Sequence, residues 1–222
     1  MRRATTIAVI AMVQFAMCLP LSVLCYPGRY RFSRQYLSEL GCGGGLHAWL
    51  FNLSLFSTGC GLAWFFAILT RHTFRGNPRL PIVGVCGTLA SLSLAGVGAI
   101  PMDVQEPLHV AAMLSWLLLM LPMSAAWISW LTWQRYSIGW MILNKSLGLA
   151  IGIYLPAFVF GYAAMWQKVV VLVSFLWMTI LWAEIIVIIW KNGLPRLQRR
   201  EISEINRERS AVALARMAKH KK

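Results

Sequence analysis

Six stretches of twenty or more residues run along this chain without a lysine, arginine or aspartate: 5–25, 46–70, 80–100, 109–133, 147–166 and 169–190. A helix rises 1.5 Å per residue, so about 20 apolar residues cross a hydrocarbon layer of roughly 30 Å. Within that layer every backbone N–H and C=O must be satisfied inside its own segment, which makes each stretch a helix. Six spans use most of the 222 residues and leave no room for a soluble domain. The expected fold is therefore all-α, an integral membrane bundle of six transmembrane helices. Residues 1–195 form the membrane domain and residues 196–222 a basic tail. Composition agrees: 59% of residues are hydrophobic, 13% are charged and the mean hydropathy is +0.63. A soluble domain carries about 25% charged residues. Disordered chains, disulfide-stapled modules and ordinary soluble enzymes are excluded on these grounds.

The net charge of +14 invites a nucleic-acid reading until its placement is examined. With the N-terminus inside, 17 of the 21 lysines and arginines fall in cytoplasmic segments, and only Arg29, Arg31, Arg34 and Lys168 fall outside. This is the positive-inside bias, and it predicts both termini in the cytoplasm of a multi-pass cell-membrane protein. Ten of the basic residues follow Trp190, spaced among Leu194, Leu197, Ile202, Ile205 and Val212 at roughly helical intervals. Such a tail suits a basic amphipathic helix on the inner leaflet, with anionic lipids as partners beside the bilayer itself. It has no Phe, Tyr or Trp to stack on bases, so no nucleic-acid partner is expected.

The five cysteines, Cys18, Cys25, Cys42, Cys60 and Cys86, include no C-x-x-C pair, and Cys42 is the one expected to be exposed. Small residues let helix backbones approach in a membrane. Gly87, Ser91 and Ala95 in the third span, and Gly148, Gly152, Ala157 and Gly161 in the fifth, place those two spans at the bundle centre.

The chemistry-bearing residues gather on the outer side. Ser38 and Glu39 lie in the first outer loop, and His47 opens the second span. Asp103 and Glu106 occupy the turn between the third and fourth spans, and His109 heads the fourth. Two catalytic arrangements are open for Ser38, Glu39, Asp103 and His109. Asp103 orients His109 as a base toward Ser38, or Glu39, His47, Asp103 and His109 hold a divalent metal that activates water. Either suits a hydrolase acting on a lipid or lipid-linked substrate at the interface. The structural alternative has Arg29, Arg31 or Arg34 pairing with Glu39, Asp103 or Glu106 to clamp the loop over the bundle. Glu184 is an ionisable residue inside a span, where a charge is costly. It suits either a transporter carboxylate or a side chain reaching back to the inner surface. No cofactor is identifiable.

Several of these residues fall into a pattern. Tyr26-Pro27, Ser38-Glu39-Leu40-Gly41, Asn52 with Gly59, Gly98 to Pro101 with Asp103, and His109 together resemble domain-of-unknown-function family 998. The resemblance covers about residues 7–195 and implies a six-helix integral membrane protein of uncharacterised molecular role. It supplies no catalytic residues.

Overall fold

The computed structural model of the chain describes residues 2–72, 80–133, 142, 146, 149–150, 153, 156–157, 160–161 and 163–192. Contacts divide the chain into Met1–Thr179 and Ile180–Lys222, and all the packing below lies within the first unit. The helices are α1 Arg2–Leu24, α2 Leu46–His72, α3 Leu80–Ala99, α4 Glu106–Trp133 and α5 Ala163–Asn192, with a short 3-10 helix at Leu37–Gly41. Helices α1 to α4 are each long and apolar enough to cross a membrane, and α5 adds the apolar stretch Ala164–Ile180. Ile10, Met17, Trp64 and Leu118 are exposed on the helix surfaces. Outward-facing apolar side chains on long helices belong to a protein surrounded by lipid.

Helices α2 and α3 form the middle of the described bundle, α2 packing against α1 and α3, and α3 against α2 and α4. The third and fifth spans are the ones expected at the centre; α3 lies between α2 and α4, and its small-residue face is one half of the contact with α2. Its other half is Gly59 on α2, whose missing side chain leaves room for the backbone of Ser91 and Ala95. Gly98 of α3 repeats this at the other end of the contact, where a Cβ would lie 2.5 Å from the Asn52 carbonyl oxygen and the Phe56 nitrogen. Gly87 instead makes space for the Phe66 ring. Toward α1, Thr58 donates a hydrogen bond to the Ala11 carbonyl at 2.9 Å, and Ser57 donates to Gln14 Oε1 at 2.9 Å. These are the polar contacts that a lipid-immersed interface rewards, each worth about 1 kcal/mol.

Two boundaries differ from the sequence expectation. Helix α4 begins at Glu106, because Pro107 fits the first turn of a helix, where no intrahelical donor is needed. Helix α5 begins at Ala163, so Gln167 and Lys168 lie inside it and do not form a loop between spans. The break falls earlier, at the turn of Phe160 and Gly161, where Gly161 has φ +78°. Nine of the twenty residues of the expected fifth span, 147–166, lie outside the described residues, as does the whole basic tail 196–222. Cys25 and Cys60 are exposed, and Cys42 is half-buried against the expectation that it alone would be open.

Candidate functional site

Among the described residues, the candidate polar side chains Ser38, Glu39, His47, Asp103 and His109 gather where residues 25–45 cap one end of the bundle. The 3-10 helix is started by Glu39, whose Oε1 accepts the Tyr36 N–H at 2.7 Å, the reach-back half of a capping box. Glu39 Oε2 accepts from Gln35 Nε2 at 3.2 Å, and the same amide nitrogen donates to the Tyr26 hydroxyl at 3.0 Å. Tyr30 is buried with its hydroxyl donating to the Tyr36 carbonyl at 3.0 Å. Burial, followed by the neighbouring Glu39 charge, pushes its phenol well above the ordinary range.

Helix α5 holds this cap down. Gln167 Oε1 accepts the Leu37 N–H at 2.7 Å, and Lys168 Nζ donates to the Gln35 carbonyl at 2.5 Å and to Ala164 at 2.9 Å. The ammonium also lies over the Tyr30 ring, 5.5 Å from its centroid. The expected arginine–carboxylate clamp therefore takes another form. Arg29, Arg31 and Arg34 are exposed, and the cap is fixed by hydrogen bonds to α5.

The turn from α3 to α4 closes the other side. Gly43 and Gly44 have φ of +82° and +70°, a conformation open to glycine, and turn the chain into α2. Within that turn Gly43 N–H donates to Asp103 Oδ2 at 2.9 Å. Cys42 lies beside Asp103, and burial together with that carboxylate raises its thiol pKa. Asn52 Nδ2 donates to the Gly41 carbonyl at 2.8 Å, and a Cβ on Gly41 would strike the Asn52 amide oxygen. Gly41, Asn52 and Gly98 thus form one close-packed point at the cap end. Ser38 Oγ–H contacts Met102 Sδ at 3.3 Å across the same interface.

Two cavities flank this point. The first holds about 40 Å³ beneath the cap, lined by Ser38, His109 and Gln167 among apolar side chains including Trp116 and Phe175. His109 is 3% exposed, and its Nδ1 sits 2.6 Å from the Ile100 carbonyl oxygen. That nitrogen must carry the proton, since a carbonyl only accepts. Nε2 is buried with no partner among the described residues. The second is a groove of about 430 Å³ between α2 and the α3–α4 turn. Its walls include Trp49 (67% exposed), Leu53 (57%) and Phe56 (44%), and its polar end is formed by Gly41, Gly44, Asn52 and Asp103.

Ser38 and His109 therefore share a cavity. Asp103 bonds Gly43, and His109 is oriented by a backbone carbonyl. Glu39 is spent on Tyr36 and Gln35. His47 Nε2 lies 3.0 Å from the Cys42 carbonyl, with its ring packed edge-on against Tyr26. Among the described residues no three His, Cys, Asp or Glu side chains converge on a metal position. Glu184 falls on α5, and its side chain lies outside the described residues. Sequence reasoning missed Gln167, Lys168 and the groove. The one available signal was the polar pair Gln167–Lys168 next to an apolar run, which read as a loop.

A family model described as protein of unknown function (DUF998) matches residues 9–184. No curated protein and no solved structure matches the chain.

Proposed function

Since the chain belongs to the DUF998 family, whose function is unknown, we propose from the site itself that it is a lipid-binding, multi-pass membrane protein. In this reading six spans cross the cell membrane, both termini are cytoplasmic and the cap faces outward. The basic tail rests on anionic lipids, and the groove beside the cap takes in one bilayer lipid. The observation that carries this is the 430 Å³ groove, which falls in the size range of small-ligand sites. Its apolar walls are exposed to the surrounding medium, which for a membrane protein is lipid acyl chain. Its polar end sits at the helix ends, where headgroups lie, and Trp49 suits an interfacial indole.

A second reading, hydrolysis at Ser38 and His109, rests on the cavity that they share. Its 40 Å³ accommodates a few waters at most, so a substrate would require the cap to lift. That weighs for binding over catalysis. A transport role for Glu184 has no described geometry behind it.

Native mass spectrometry of the purified full chain tests the binding reading. Ala99 is an exposed residue of the groove lining, so Ala99→Trp fills the groove without entering the packed core. The wild-type chain is expected to carry one lipid mass that Ala99→Trp loses and Ser38→Ala retains. A lipid retained by Ala99→Trp would overturn binding in the groove. Turnover of the bound lipid that stops in Ser38→Ala would favour the hydrolase.

A further inference from the structure

We infer that the lipid taken into the groove carries a primary ammonium in its headgroup; this deepens the lipid-binding reading above and rests on it. The argument starts from charge. Asp103 is the one ionisable side chain in the groove lining, and it is exposed. Its Oδ2 is fixed by the Gly43 N–H at 2.9 Å, so the carboxylate is held in place before any ligand arrives. Among the described residues Asp103 has no ion pair with lysine, arginine or histidine. Glu106, three residues further on, is also exposed, whereas the exposed cations of this end, Arg29, Arg31 and Arg34, lie on the cap and outside the groove lining.

The Asn52 amide nitrogen is bound to the Gly41 carbonyl, while its buried amide oxygen has no hydrogen-bond partner among the described residues and can only accept. The groove therefore offers an oriented anion and no cation of its own. An anionic headgroup such as phosphoglycerol is repelled there. A choline matches the charge but has no N–H to donate. A primary ammonium supplies both a charge and donors, and a charge-assisted hydrogen bond is about twice as strong as a neutral one. The apolar walls of Leu53, Phe56 and Val104 then receive the acyl chain below the headgroup.

The test uses the delipidated full chain, titrated separately with dioleoyl-phosphatidylethanolamine, -phosphatidylcholine and -phosphatidylglycerol, and read as the one-lipid adduct by native mass spectrometry. The ethanolamine lipid is expected to bind roughly tenfold more tightly than the other two, the worth of one exposed charge-assisted hydrogen bond. Asp103→Asn is expected to erase that preference while leaving the acyl-chain adduct in place. Equal binding of ethanolamine and choline lipids, or a preference for the glycerol lipid, would overturn the ammonium assignment and leave the groove standing. Adducts that persist in Ala99→Trp would instead overturn the groove itself, so the two failures are distinguishable.

Discussion

Gly59→Leu is expected to remove most of the folded protein from a detergent extract, and Gly59→Ala to lower its melting temperature by about 10 °C. A Cβ at residue 59 meets the backbone of Ala95 and Ser91, atoms that no rotamer change can move aside. Overpacking of this kind costs about 3 kcal/mol at its upper range, and for a chain of this size 1 kcal/mol is about 3 °C. Two controls separate steric collision from a general dislike of side chains on these helices. Gly96→Ala places its Cβ 3.5 Å from the Ala112 methyl, an ordinary contact, so its stability is expected to stay level or rise slightly. Gly87→Ala meets the Phe66 ring, which can shift, so its loss should fall between the two. Thermal scans of the three variants read the series directly. Equal losses at residues 59 and 96 would contradict the close α2–α3 approach.

The second large effect concerns the cap. Gln167→Leu is expected to speed tryptic cleavage after Arg34 by about thirtyfold. The substitution strands the Leu37 N–H, which is otherwise bonded to Gln167 Oε1 at 2.7 Å in a buried setting. An unsatisfied buried donor costs about 2 kcal/mol, and proteolysis of a transiently opened segment tracks that population. Arg34 is a suitable reporter because its own N–H and that of Gln35 are bonded to the Arg31 carbonyl, which resists the extended form a protease needs. Lys168→Met is expected to act in the same direction by freeing the Gln35 carbonyl. The double variant should fall short of the sum, because both residues hold one segment. Cleavage at the wild-type rate in Gln167→Leu would mean that α5 does not hold the cap.

Much of the architecture was legible because lipid permits so few solutions. Charge-free runs of about 20 residues mark spans regardless of tertiary detail, and α1, α2 and α3 lie within a few residues of their expected bounds. The placement of Gln167 and Lys168 was not legible. Beside an apolar run they read as a connection, and their place inside α5 depends on partners in the cap 130 and 133 residues away. The partner of the small-residue face on α3 was not legible for a similar reason. Gly87, Ser91 and Ala95 show a small-residue face, but a face does not name the helix that covers it.

The end of the bundle that carries the candidate residues was legible, and their arrangement was not. Ser38, Glu39, Asp103 and His109 all lie at the cap end, and the Ser-Glu segment forms a short helix. Their hydrogen bonds go to backbone groups that sequence patterns do not reveal, such as Ile100 for His109 and Gly43 for Asp103. The groove arises from the gap between α2 and the α3–α4 turn, and no residue pattern along the chain encodes a gap.

Site-specific photo-crosslinking in native membranes tests the central claim most directly. A benzophenone side chain at position 53 lies in the groove, whereas one at position 118 lies on the exposed apolar surface of α4. Lipid binding in the groove predicts that position 53 captures one lipid species, enriched over its share of the membrane, while position 118 captures lipids in bulk proportion. Bulk proportions at both positions would contradict it.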